Sequence, residues 1–271
     1  MISRKTSLLF ALLVSAFLTG ADWRQFRGNR IDGVADDPLP AAISGDSIKW
    51  SVELPGRGLS APIVVGDRVY LSCSSGFDQN RLHLICFDKQ SGEQIWERRF
   101  WATGRTVSHP KMCNATPTPC SDGKRIFASF SSNDVVCTDL DGNLQWFRGL
   151  TYDYPNATNS LGMSSSPIVV DDVLIVQAES DADSFAFGLN VETGESYWKL
   201  ERPRAANWTS PVALFEPEPV ALLQSSKGIQ AVEPKTGKTL WTYTNGASTI
   251  PSSVVSGGSV YIPSNGLTAI T

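Results

Sequence analysis

A glycine followed four positions later by a tryptophan occurs four times in this chain, as Gly92/Trp96, Gly142/Trp146, Gly194/Trp198 and Gly237/Trp241. Successive glycines lie 50, 52 and 43 residues apart. Self-similarity at such a period constrains the fold more than any local preference, because each unit has to bury its apolar faces against its neighbours. A polar anchor precedes each glycine: Asp88, Asn190 and Glu233, with Asp139 in a second copy that is one residue shorter. Two residues before each anchor stand Cys86, Cys137, Gly188 and Ala231, and Ala269 in a truncated last unit. All are small, as expected where a ring or a neighbouring sheet comes close to the strand. That place in the repeat makes Cys86 and Cys137 apolar fillers.

Upstream of each anchor runs a hairpin pattern. Val69-Tyr70-Leu71, Ile126-Phe127-Ala128, Val173-Leu174-Ile175 and Val260-Tyr261-Ile262 are rich in strand formers. Turn residues precede each run: Gly66-Asp67, Asp122-Gly123, Asp171-Asp172 and Gly257-Gly258. Before those come proline starts followed by apolar residues, as in Ala61-Pro62-Ile63, Ser166-Pro167-Ile168 and Ser210-Pro211-Val212. Each unit therefore reads as three short strands, a glycine turn and a fourth strand carrying the tryptophan. Four antiparallel strands per unit of about 40–50 residues is the period of a β-propeller blade.

The expected fold is all-β, with blades near 60–96, 116–146, 166–198 and 209–241 and a partial fifth at 250–271. Residues 48–53, which include Trp50, read as an orphan outer strand without inner strands of its own. Such a chain is either part of a larger propeller or a closed five-bladed ring, and the fragment is favoured because an open arc exposes sheet faces. The tryptophans, Trp50 included, are expected to lay their rings against adjacent blades, each burying on the order of 200 Å².

Residues 1–21 carry Arg4 and Lys5, an apolar run from Leu8 to Leu18, and small residues at Thr19-Gly20-Ala21. This is a secretory signal pattern, too short for a stable membrane anchor and without the cysteine of a lipoprotein signal. The expected product is periplasmic or secreted, with residues 22–271 as its propeller domain and no later transmembrane segment. A net charge of −4 argues against a nucleic-acid partner. Five cysteines leave at least one without an intramolecular partner, and none has C-x-x-C spacing. With only His83 and His109, the chain leaves little room for a zinc site or a Ser-His-Asp hydrolase.

The segment Cys86-Phe-Asp88-Lys-Gln-Ser91-Gly92-Glu-Gln-Ile-Trp96 resembles the tryptophan-docking repeat of pyrroloquinoline-quinone (PQQ)-type β-propellers, as do Asn190 to Trp198 and Glu233 to Trp241. Asp22 to Val34, reading Asp-Trp-Arg-Gln-Phe-Arg-Gly-Asn-Arg-Ile-Asp-Gly-Val, resembles the leader of exported PQQ-repeat proteins of the planctomycete type. The resemblance implies the fold strongly, with seven or eight blades and an N-terminal strand such as 48–53 completing the last, and an activity weakly, since the repeat builds blades without performing chemistry. In quinoprotein dehydrogenases of this class it implies Ca²⁺ held by a Glu and an Asn, a catalytic Asp, and often a vicinal cysteine pair. No vicinal pair is present.

The expected function is a non-catalytic binding or scaffold module with no assigned cofactor and no catalytic or metal residues. One alternative is a PQQ- and Ca²⁺-dependent dehydrogenase. The other is a propeller similar to the outer-membrane assembly factor. A binding face would be built from the connections between one unit's last strand and the next unit's first. These carry Arg105, His109, Lys111 and Asn114; then Tyr152, Asp153, Asn156 and Asn159; then Arg204, Asn207 and Trp208. Aromatics mixed with amides and cations suit a sugar, peptide or quinone surface, and the expected partner is a protein, peptide or carbohydrate outside the cytoplasm. The same amides also suit turn caps, and the aromatics also suit cover for the core.

Overall fold

The computed structural model describes residues 22–36, 40–158 and 161–271. The signal pattern at 1–21 and Asn159 lie outside the described residues. Five antiparallel sheets follow one another along the chain. The first holds β1 (Ile63–Val65), β2 (Arg68–Ser75), β3 (Arg81–Asp88) and β4 (Gln94–Trp101), and the second β5 (Cys120–Ser121), β6 (Arg125–Ser129), β7 (Asp134–Asp139) and β8 (Leu144–Gly149). The third holds β9 (Ile168–Val170), β10 (Val173–Ala178), β11 (Phe185–Asn190) and β12 (Ser196–Glu201). The fourth holds β13 (Val212–Leu214), β14 (Val220–Ser225), β15 (Gly228–Val232) and β16 (Thr239–Tyr243). The fifth has three strands, β17 (Val254–Ser256), β18 (Ser259–Ile262) and β19 (Thr268–Ile270). Strands pair in simple meander order within every sheet, giving four blades and part of a fifth.

The local chemistry accounts for the meanders. At the first turn of the third and fifth sheets, Asp171/Asp172 and Gly257/Gly258 all have positive φ, the backbone a two-residue hairpin needs. At the last turn the polar anchor organises the chain. Asp88 Oδ1 accepts from the backbone N–H groups of Gln90 and Ser91 at 2.9 and 2.7 Å, and Asn190 Oδ1 does the same for Glu192 and Thr193. Directly across the last ladder, Cys86 faces Trp96, Cys137 faces Trp146, Gly188 faces Trp198 and Ala231 faces Trp241. A Cβ on Gly188 would meet the Trp198 ring at 2.3 Å, which explains the small column.

Successive sheets are joined in two ways. Each indole reaches forward to the next sheet: the N–H groups of Trp50, Trp96, Trp146 and Trp198 donate to the carbonyls of Lys89, Leu140, Val191 and Pro234 at 3.0, 3.0, 3.1 and 2.6 Å. Their rings lie on Gly92, Gly142, Gly194 and Gly237, where a Cβ would come within 2.6–2.7 Å of ring carbon. At the opposite, inner edge a belt of hydroxyls runs from sheet to sheet. The N–H of Ala61 donates to Thr118 Oγ1, that of Thr118 to Ser166 Oγ, that of Ser166 to Ser210 Oγ and that of Ser210 to Ser252 Oγ, all at 2.9–3.0 Å.

Residues 48–53 differ from the expected outer strand. They run without ladder pairing among the described residues, which offer no neighbouring strand to receive them, although Trp50 still lays its ring on Gly92. The leader, by contrast, has a place in the fold. Trp23 exchanges both backbone hydrogen bonds with Val64, and Arg24 O accepts from Ser121 N at 2.8 Å. Gln25 Oε1 accepts from Val169 N at 3.3 Å, Arg27 donates to Ser253 O at 2.7 Å, and Ile31 is fully buried. The segment thus crosses the first strands of the first three sheets and reaches the entrance of the fifth.

Candidate functional site

The connections between sheets interlock. His109 N donates to Leu161 O at 2.9 Å, carrying the first long connection onto the second. Trp208 Nε1 donates to Gly162 O at 2.8 Å and Ser164 Oγ to Trp208 O at 3.1 Å, carrying the second onto the third. Trp208 N donates to Thr249 O at 2.9 Å and extends the contact to the connection before the fifth sheet. The first connection is pinned at its start by Asp134. Its carboxylate accepts from Thr103 N, Thr103 Oγ1 and Ser132 Oγ, while burial pushes its carboxyl up from the ordinary value. The loops of three successive sheets therefore form one continuous wall.

The structure divides the sequence candidates into two sets. Arg105, His109, Lys111, Tyr152, Asp153, Asn156 and Arg204 are exposed on the wall, and Trp208 is half-buried in it. Asp153 pairs with Arg148 at 2.9 Å and Arg204 with Asp183 at 3.2 Å. Lys111 N donates to His109 Nδ1 at 3.1 Å, a local turn contact. Asn114 and Asn207 lie beneath the surface instead, 0% and 3% exposed. Asn114 Nδ2 donates to Gln79 O and its Oδ1 accepts from Ser132 N, so it bridges the hairpins of two sheets. These two amides are spent on backbone partners and neighbouring side chains and are not available as a binding surface.

Asn207 belongs to a buried polar cluster that the motif reading missed. Glu179 Oε1 accepts from Arg202 Nε at 2.6 Å and from Gln177 Nε2 at 2.9 Å, and its Oε2 accepts from Asn207 Nδ2 at 3.0 Å. Arg202 also donates to the carbonyls of Leu223 and Gln224, and Asn207 Nδ2 donates to Gln224 O at 2.7 Å. Gln224 in turn holds Ser253 N and Oγ at 2.8 and 2.6 Å, linking the third, fourth and fifth sheets. The side chains of Glu179 and Arg202 are 0% and 2% exposed. Their spacing in sequence carries no periodic signal, because each projects from a different connection.

A second cluster lies on the first sheet. Ser75 Oγ is 2.7 Å from His83 Nε2, and His83 Nδ1 is 2.6 Å from Glu97 Oε1. Arg99 donates to both Glu97 oxygens at 3.0 and 2.8 Å. The low histidine count left little room for a Ser-His-Asp hydrolase, yet His83 does stand between a serine and a carboxylate. One histidine suffices when the register of three adjacent strands brings serine and carboxylate to either side of it.

Antiparallel four-stranded sheets in meander order, joined by forward-reaching indoles, define a β-propeller of repeated blades. A family model described as outer membrane protein assembly factor BamB matches residues 40–163 and again 102–270, and the chain belongs to this PQQ-repeat family. The outer membrane protein assembly factor BamB of Alkalilimnicola ehrlichii is 25% identical over 159 residues, covering 58% of this chain and 36% of that protein. The chain thus spans about a third of the length of the curated relative it matches. Among solved structures, BamB from Moraxella catarrhalis is similar at TM-score 0.54 and 18% identity, over 82% of this chain and 66% of that one. A europium-containing methanol dehydrogenase is similar at TM-score 0.64 and 13% identity, over 92% and 57%. The quinohemoprotein alcohol dehydrogenase of Comamonas testosteroni gives 0.63 and 16%, over 90% and 47%. At these identities the structural likeness concerns the fold.

The resemblance to quinoprotein dehydrogenases implies calcium held between a Glu and an Asn. Glu179 and Asn207 are adjacent, but the carboxylate already faces a guanidinium and two amide N–H donors, and Asn207 Oδ1 accepts from Thr209 N and Oγ1. A divalent cation there would meet Arg202 at the same carboxylate. This donor set does not fit calcium, and no chemistry is routed through it.

Proposed function

We propose that the chain is a binding propeller acting outside the cytoplasm, whose interlocked loop wall docks a protein or peptide partner, in the manner of an assembly factor rather than a quinone-dependent dehydrogenase. The observation that carries this reading is the wall itself. Connections from three successive sheets are tied by hydrogen bonds onto main-chain carbonyls and present Tyr152, 80% exposed, among Arg105, Lys111 and Arg204. A hydrogen-bonded surface with an exposed aromatic and exposed cations is suited to macromolecular docking, since loops already tied together need little ordering on binding. Membership of the PQQ-repeat family supports the same reading, as does the signal pattern at residues 1–21 for an exported location. No described helix is long and apolar enough to cross a membrane.

The test compares the wild-type chain with a Tyr152→Ser/Arg105→Glu/Arg204→Glu variant as immobilised bait for an outer-membrane extract, each also incubated with PQQ and Ca²⁺ for dye-linked alcohol oxidation. The reading expects a discrete protein retained by the wild type and lost from the variant, without turnover in either. Identical retention by both baits, or robust alcohol oxidation, overturns it.

A further inference from the structure

The Ser75, His83 and Glu97 cluster belongs to a different part of the molecule from the loop wall. These residues stand on β2, β3 and β4, one on each of three adjacent strands. Ladder register puts them on one face, since Ser75 pairs with Arg81, Cys73 with His83, His83 with Arg99 and Ile85 with Glu97. Ser75 and His83 line a cavity of about 390 Å³ whose other walls are Pro55, Arg81, Arg99, Phe100 and Trp101. Pro55 comes from an extended segment held along β2 by paired Arg57–Ser74 backbone hydrogen bonds of 2.8 Å. Gly56 permits that approach, because a Cβ there would meet the Ser74 carbonyl oxygen at 2.2 Å.

We propose that Ser75, His83 and Glu97 form a nucleophile, base and orienting carboxylate that hydrolyse small esters bearing an acidic group. The two hydrogen bonds assign the tautomer: Nδ1–H donates to Glu97, which leaves Nε2 to accept the Ser75 hydroxyl proton. His83 is 3% exposed and so held in one orientation, and the Arg99 guanidinium holds the Glu97 carboxyl below its ordinary range. Arg81 lies directly across the ladder from Ser75, has no carboxylate partner among the described residues, and stacks over Trp101 at 5.5 Å. It supplies positive charge for the developing oxyanion and for an acidic group on the substrate, and Trp101 and Phe100 supply apolar contact.

In the first step Ser75 Oγ attacks the ester carbonyl carbon, and its proton passes to His83 Nε2. The carbon–oxygen bond to the leaving group breaks as that proton moves to the departing alkoxide, giving an alcohol and acyl-Ser75. Water then attacks the acyl carbon, giving its proton to His83. The carboxylic acid leaves as the proton returns to Ser75 Oγ. No oxidant, reductant or second substrate is needed.

The test treats the intact chain with a fluorophosphonate probe and maps the adduct by mass spectrometry, alongside turnover of p-nitrophenyl acetate and the p-nitrophenyl monoester of succinic acid. Labelling is expected at Ser75, with faster turnover of the succinate ester, and both signals should vanish in Ser75→Ala. Glu97→Gln should lower kcat about 100-fold with KM held, as expected of a residue acting through the base. Because His83 is buried and its replacement can unfold the sheet, Ser75→Cys provides a second readout. Its thiol should be alkylated by iodoacetamide far faster than a free thiol at neutral pH. No adduct on Ser75 together with ester turnover equal to Ser75→Ala, or a Ser75→Cys thiol no more reactive than a free one, overturns the proposal.

Discussion

The indole N–H of Trp146, on the last strand of the second sheet, donates to the carbonyl of Val191 in the third sheet at 3.1 Å, while its ring rests on Gly194. Trp146 is 8% exposed, so the bond is shielded from water. Trp146→Phe retains a ring but leaves the Val191 carbonyl without this donor, which should cost about 1–3 kcal/mol in chemical denaturation. Gly194→Ala attacks the other half of the contact. Its φ of +74° alone should cost about 1–2 kcal/mol, and its Cβ would also push the ring outward. A loss of Trp146 fluorescence shielding should accompany Gly194→Ala.

The hydroxyl belt offers an independent test at the inner edge. Ser166 is buried and accepts the Thr118 N–H at 3.0 Å. Ser166→Ala leaves that donor unpaired and should cost about 1–3 kcal/mol. Ser166→Thr should cost much less, since Thr118 already fills the equivalent place for Ala61.

Arg202→Met should be more damaging than either, costing about 3–5 kcal/mol in all, because it leaves the Glu179 carboxylate buried without its cation. Adding Glu179→Gln should recover much of the loss. Equal destabilisation of the single and double variants in urea titrations would show that the guanidinium acts through packing and its carbonyl contacts instead.

Acid should loosen the last turn of the first sheet. Hydrogen bonds from the Ser91 and Gln90 N–H groups and the Ser91 hydroxyl hold the Asp88 carboxyl below its ordinary range. The folded chain therefore binds this proton less tightly than the unfolded chain. The stabilisation is complete above the unfolded value and is lost as pH falls below about 4 toward the lower folded value. Asn190 makes the same turn contacts with an amide. Asp88→Asn should accordingly match the wild type at pH 7 and flatten the acid limb of a thermal-denaturation pH series.

The five cysteines should be silent in the native chain. All are buried and unpaired, and burial pushes the thiols of Cys73 and Cys137 up to about 12 and that of Cys86 to about 11. Thiol titration at pH 8 should find almost none reactive before denaturation and all five afterwards.

Much of the architecture was legible because a propeller repeats one local problem. The Gly-to-Trp spacing, the anchors Asp88 and Asn190, and the small column at Cys86, Cys137, Gly188 and Ala231 each answer a contact that recurs in successive sheets. The candidate site was legible only in part. Exposed Arg105, Tyr152 and Arg204 carry no mark that separates them from buried Asn114 and Asn207, since all sit in polar connections. What distinguishes them is whether a neighbouring hairpin needs the side chain, and that depends on which connections touch.

The sequence alone determined the blade, its turns and the recurrence of the indoles, since these follow from contacts within a unit or between copies of one unit. Only the tertiary structure decided that the leader crosses the inner strands, that Arg202 meets Glu179, and that Ser75, His83 and Glu97 converge. These groups come from different elements whose separations along the chain follow no period. Strand register and sheet packing alone set their distances in space.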